Sequence, residues 1–302
     1  MTEAVTLETA VSPPTKSLFW ETLRLLRYNR LAMLGGIIIL LLIVVAIFGS
    51  SLSPYDPNAM DFEARLAAPS WQHPFGTDDF GRDVLSRVLD GAAVSLQVGI
   101  IAVSISMIVG TLLGAVSGYY GGWLDEIIMR MMDILFAFPA ILLAIAILAA
   151  LGPGIRNAMI AIGIVYTPIF ARITRGSVLT VREEVFVKAA RSIGSRDRRI
   201  IFTHILPNVL APVIVETTLS LAFAILAEAA LSFLGLGTQP PDPSWGRMLS
   251  ESRGFIQDAP WLGIFPGLAI MLTVMGFNFL GDGLRDALDP KMKQVLEPGG
   301  GR

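Results

Sequence analysis

Two carboxylates interrupt an otherwise apolar stretch between Pro207 and Leu236: Glu216 and Glu228. An ionised side chain at the centre of a bilayer costs about 2.5–3.5 kcal/mol on insertion scales, so such groups face a bundle interior or a wet cavity. Twelve residues at 1.5 Å per residue place them roughly 18 Å apart along one helix, with azimuths differing by about 120°. That separation excludes a paired acid and base. Each fits one of two roles, a polar contact with a neighbouring helix or a cation-attracting group on a water-filled path. Asn278 and Gln97, also in apolar runs, admit the same two readings. Other chemistry is sparse. His73 and His204 lie far apart and form no metal-ligand spacing, so both are read as loop or packing residues, and no metal site is expected. Cysteine is absent, which removes disulfides and thiolate ligands. No Gly-Lys pair occurs, so the chain has no phosphate-cradling loop of the G-x-x-x-x-G-K-[ST] kind. No nucleophile-and-base constellation stands out, and the chain reads as not itself an enzyme.

A second set of residues suggests mechanical work. In Val185-Phe-Val-Lys-Ala-Ala-Arg-Ser-Ile-Gly194, the residues Phe186, Ala190 and Ile193 fall at helical spacing and predict one apolar stripe. Gly194 suits the left-handed position that stops a helix. Ser195 is expected to cap a second short helix. Pro207 then opens the next span, where its missing N–H costs little. The result is a helix–turn–helix, basic on its outer face through Lys188 and Arg191, with the small Ala189 and Ala190 permitting close approach. On these residues alone it could equally be a surface connector between two spans.

The elements that must carry these residues are membrane helices. Of 302 residues, 53% are hydrophobic and 16% charged, with mean hydropathy +0.64. Soluble domains carry about 25% charged residues. A net charge of −2 gives no reason to expect nucleic acid. Spanning the hydrocarbon core takes about 20 largely apolar residues. Such runs occupy Leu31–Leu52, Gly91–Tyr119, Ile134–Leu151, Asn157–Ala171, Pro207–Leu236 and Ala259–Gly281, the fourth being short. The fold class is therefore all-α, a polytopic bundle of about six spans.

The segments divide as follows. Residues 1–30 form a basic tail, in which Leu18, Phe19, Leu23, Leu25 and Leu26 interleave with Arg24, Arg27 and Arg30. That mixture fits a helix lying on the membrane surface or an ordinary positive flank equally well. Residues 31–52 are a retained first span, too long and too late for a signal peptide. Residues 53–90 are an external loop. Residues 91–282 hold the remaining spans, with a cytoplasmic loop at 172–206 and an external one at 237–258. Residues 283–302 are a tail. With six spans, 17 of the 23 Lys and Arg fall on the side of the termini and the 172–206 loop. The positive-inside rule makes that side cytoplasmic.

The loop pattern resembles the EAA loop of ABC importer permeases, which reads E-A-A, three residues, Gly, nine residues, an apolar residue, any residue, Leu-Pro. Ala189, Ala190, Gly194, Leu206 and Pro207 are in register. Lys188 replaces the usual Glu, and His204 the usual apolar residue. Phe75–Arg87, Gly121–Asp125 with Met129–Asp133, Leu231–Pro241 and Phe277–Pro290 resemble, in the same order, segments of the dipeptide, oligopeptide, glutathione and nickel permeases. The resemblance implies a type I importer permease in the bacterial inner membrane, both termini cytoplasmic and surrounded by lipid. It further implies a homologous second permease, two cytoplasmic ATPase subunits that bind ATP and Mg, and an external substrate-binding protein. Residues 186, 188–191, 193–195, 206 and 207 would couple to an ATPase. Glu216, Glu228 and Asn278 become candidates for a translocation pathway, where a glutamate could attract a substrate's ammonium group. Small peptides, dipeptides foremost, are the expected cargo, with glutathione, longer peptides or nickel complexes as the alternative. A stand-alone secondary transporter would need an internal repeat or a coupling-ion site, and no clear repeat is seen.

Overall fold

A computed structural model describes residues 25–27 and 29–288. The first part of the tail's surface-helix reading, and the tail beyond Leu288, lie outside the described residues. Helices dominate: α1 Arg30–Leu52, α2 Val84–Tyr120, α3 Gly122–Phe136, α4 Ala140–Leu151, α5 Ile155–Val181, α6 Val185–Ser192, α7 Asp197–Phe233, α8 Trp245–Ser252 and α9 Trp261–Leu288. Among the described residues five helices are long and apolar enough to cross a membrane, and α3 with α4 forms a bent pair with the geometry of a broken span or a re-entrant loop.

The helices start and stop for local reasons. Asn29 caps α1, its side chain accepting from Leu31 N and Ala32 N at 3.1 and 3.2 Å. Asp83 caps α2 through Ser86 N at 2.8 Å. Small residues decide which faces meet. A Cβ on Gly35 of α1 would lie 2.7 Å from Gly276 O of α9. Along α2, Gly110, Gly114 and Gly118 form a seam against α5, where a Cβ on Gly110 would come within 2.6 Å of Phe170 Cβ and one on Gly114 would overlap Ala171 O. The opposite face of α1, with Leu40, Leu41, Ile47 and Phe48, is exposed and wholly apolar, as a lipid-facing surface must be.

The expected continuous third span does not form. Its two halves meet at 94° across Ala137–Pro139. Pro139 lacks the N–H that would continue the helix, and its ring pushes Phe138 out of the helical region. The twelve residues of α4 extend about 18 Å, short of a hydrocarbon core of about 30 Å. Helix ends also outrun the uncharged stretches. α2 begins seven residues before Gly91, and α5 continues ten past Ala171, carrying Arg172 and Arg175 inside it.

One end of the bundle is rich in loops. Residues 53–83 fold back over α2, α8 and α9, held by Trp261 Nε1 donating to Thr77 O at 3.1 Å and by stacked rings of Phe75 and Phe265, 3.8 Å between centroids. Gly81 is left-handed (φ +75°), and a Cβ there would overlap Asp61 O, so only glycine fits. Beneath the loops, Arg87 is 1% exposed, donates to Pro57 O at 3.0 Å, and lies 3.7 and 3.6 Å from Asp78 and Glu251. Arg82 pairs with Asp78 at 2.6 Å, and Arg247 with Glu251 at 2.9 Å. Asp79 stands next to this cluster, and burial pushes its carboxyl above the usual range.

Candidate functional site

The other end of the bundle presents the 182–202 segment. Arg182–Glu184 leave α5, and α6 follows. Lys188, 3.2 Å from Glu183, holds that exposed carboxyl below the usual carboxylate range. At the far end Gly194 takes φ +77°. Gly194 N donates to Arg191 O at 3.0 Å and Ser195 N to Ala190 O at 3.1 Å, the paired bonds of a Schellman stop. The glycine turn thus falls where the sequence placed it, for the conformational reason given.

The side chains divide differently from expectation. Val187 and Ala190 face inward, packed with Ala115 and Tyr119 of α2, Val178 of α5, and Ile200, Ile201, Ile205 and Val209 of α7. Phe186 is 43% and Ile193 83% exposed, and Val185 joins them at 79%. The expected single stripe of Phe186, Ala190 and Ile193 is therefore split: Ala190 seats the helix, and the two larger residues point away from the bundle. Ser195 caps nothing. Arg196 occupies the N-cap position of α7 without a side-chain bond, because the Schellman turn carries the chain one residue further before it coils again. Residues Ile200–Ile205 are π-wound, with Leu206 N reaching back to Ile201 O. Pro207 follows inside one continuous helix rather than opening a separate one, and Asn208 Nδ2 donates to His204 O at 2.7 Å. Arg196, Arg198, Arg199 and Phe202 line a shallow, open concavity of about 400 Å³. Ala189 and Arg191 are exposed, the Arg191 guanidinium lying 5.3 Å from the Tyr119 ring centroid. The segment is a rigidly mounted projection whose tip is apolar and whose flank is cationic.

The intramembrane polar residues do not converge. Glu228 is 1% exposed. Its Oε1 accepts from Ser232 Oγ at 2.7 Å and its Oε2 from Ser95 Oγ at 3.3 Å. Ser232 Oγ in turn accepts from Thr238 N at 3.0 Å, and Gly237 approaches so closely that a Cβ would overlap that hydroxyl. Glu228 therefore ties α2, α7 and the 234–244 loop together. Within this chain the hydroxyls enclose its carboxylate. Glu216 is half-buried and accepts from Ser220 Oγ at 2.9 Å, and Asn278 is half-buried on α9. The ties that sequence reasoning missed join distant segments. Arg175 Nε and Nη2 each donate to Asp125 at 2.6 Å, and Tyr119 Oη donates to Asp197 Oδ1 at 2.7 Å. Asp125 falls in a quoted motif, but no periodicity marks its partner.

Residues 110–294 match the family described as binding-protein-dependent transport system inner membrane component. The chain belongs to that family. Residues 17–69 also match the N-terminal TM domain of oligopeptide transport permease C. Over 286 residues the permease is 56% identical to the dipeptide transport system permease protein DppC of Alkalihalophilus pseudofirmus, covering 94% of this chain and 92% of the relative. It is 51% identical over 276 residues to the glutathione transport system permease protein GsiD of Escherichia coli, covering 91% and 90%. A chain of the inward-facing MetNI methionine ABC transporter shares the fold at TM-score 0.53 and 17% identity, covering 67% of the permease and 97% of that chain. The permease is thus a multi-pass inner-membrane component of an ABC importer, with the helical architecture of such permeases.

Proposed function

We propose that this permease is one of two homologous membrane subunits of an importer for small peptides, dipeptides foremost. In this reading two ATPase subunits supply ATP and Mg chemistry, and an external binding protein delivers the cargo. The relative 56% identical over 94% of the chain, a dipeptide permease by name, favours peptides over the alternatives. The observation that carries the coupling role is the outward exposure of Val185, Phe186 and Ile193 on a helix whose inner face is fully seated. Apolar groups that a bundle leaves outside, on a segment that also exposes Arg196, Arg198 and Arg199, suit a protein cleft rather than water. The basic end is then cytoplasmic, in keeping with the positive-inside rule. The loop-rich end faces the binding protein.

The test uses the complete reconstituted importer. In proteoliposomes, uptake of radiolabelled alanyl-alanine requires binding protein, both permeases, the ATPases and MgATP together. Ile193→Cys, introduced into a chain with no native cysteine, cross-links to an ATPase subunit. Uptake without ATP would sink the reading. The cargo class is settled separately on the cognate binding protein: dipeptides raise its thermal midpoint and glutathione does not.

A further inference from the structure

We propose that Tyr119 carries displacement of the coupling segment into α2, which makes it a positioning residue for transport. The proposal rests on the coupling role of Val185–Arg199 given above. Three routes lead from that segment into the bundle. Two are covalent: α7 continues from Asp197 through the π-wound turn into its membrane portion, and Arg182–Glu184 join α6 to α5. The third, into α2, has to be non-covalent, since α2 ends long before α6 begins. At that junction Val187 and Ala190 pack against Ala115, Tyr119 and Val178. Such contacts are non-directional: they resist compression but give way when surfaces slide or separate. Directional contacts centred on Tyr119 cross the same junction. Tyr119 Oη donates to Asp197 Oδ1 at 2.7 Å, and the Arg191 guanidinium lies 5.3 Å from the centre of the same ring. The ring is buried, so its hydroxyl is held in place; Asp197 belongs to the coupling segment itself.

What Tyr119 pulls is more than one helix. The Gly110–Gly114–Gly118 seam leaves α2 and α5 no slack, because a single added methyl at any of the three would collide with α5. Just beside Tyr119, Arg182 Nη1 donates to Gly118 O at 2.7 Å, joining the ends of the two helices. Arg175 grips Asp125 of α3 with two bonds of 2.6 Å. A displacement applied at the Tyr119 hydroxyl therefore reaches α2 directly and keeps it in step with α3 and α5, while α5 and α7 are also moved through their own backbones. Helix shifts of this kind are about 1–2 Å, the range in which one hydrogen bond decides whether two surfaces travel together.

Spin labels at Tyr120→Cys and Ser192→Cys test this in the full importer, with the ATPases present. In the otherwise native chain the label separation stays the same between nucleotide-free and ATP–vanadate-trapped states. Adding Tyr119→Phe, which keeps the ring and removes the hydroxyl, makes the separation change by about 2 Å between those states. Alanyl-alanine uptake per ATP hydrolysed then falls about fivefold while hydrolysis continues. Asp197→Asn keeps an acceptor oxygen and behaves as the native chain; Asp197→Ala behaves as Tyr119→Phe. A merely structural tyrosine would lower uptake and hydrolysis together, and that result overturns the proposal. So does an unchanged separation in Tyr119→Phe while Ile193→Cys still cross-links to the ATPase. Failure of that cross-link sinks the coupling reading, and this proposal with it.

Discussion

The two ends of this bundle solve opposite problems. At the loop-rich end, Arg82, Arg87, Asp78 and Glu251 are drawn under the 53–83 segment and satisfied by one another. At the basic end, Phe186, Ile193 and Phe202 stand exposed beside the arginines of the 196–199 turn. Burying charge costs several kcal/mol per ion and is tolerated only where geometry pairs every group. Exposing apolar surface is tolerated where something else covers it. The charges at the first end are therefore satisfied within this chain, whereas the apolar groups at the second suit the partner proposed above. That contrast also assigns Glu228: although it lies in a span, its environment is that of the first end, enclosed by hydroxyls that hold a loop.

The contrast breaks if the first end proves dispensable, and a large effect is expected there. Arg87→Ala removes a buried guanidinium and leaves Pro57 O without its donor, while Asp78 and Glu251 keep Arg82 and Arg247, and should cost about 1–3 kcal/mol. A fall in thermal midpoint, followed in detergent by size-exclusion profiles, would report it. Gly114→Val wedges the α2–α5 seam and should cost about 1–3 kcal/mol by overpacking, read in the same way. At the second end, Ile193→Asp should leave the thermal midpoint of the permease alone yet weaken ATPase association about tenfold, equal to about 1.4 kcal/mol, measured by titrating ATPase onto nanodisc-held permease. Glu228→Gln preserves shape and keeps one acceptor oxygen, and a serine hydroxyl can turn to accept from the new amide N–H, so uptake should fall less than about twofold. Selective loss of substrates with a free amine, with assembly intact, would place Glu228 on the pathway. Lys188→Ala removes only an exposed pair with Glu183, and no measurable change in stability is expected.

Much of this architecture was legible without coordinates. Apolar runs of about 20 residues announced the spans, because hydrocarbon admits few alternatives to a helix. Gly194 announced its turn, since φ above zero is cheap for glycine alone. The inward face of α6 was not legible. In eight residues Phe186, Val187, Ala190 and Ile193 are all apolar enough to be buried, and periodicity alone cannot choose between faces when the helix has one side against the bundle and the other toward a partner. The break at Pro139 was hidden by the apolar composition on both sides of it. Glu228 could be recognised as costly, but not as enclosed, because Ser95 lies more than a hundred residues upstream.

The order of elements, the five long membrane helices, the family and the turn at Gly194 follow from sequence by itself, since each depends on local backbone preference or on the transfer of apolar side chains out of water. Tertiary structure alone decided which charges are paired, which apolar groups remain outside, and that Tyr119 meets Asp197. Those outcomes depend on atoms brought within about 3 Å from distant parts of the chain, and no local pattern encodes that proximity.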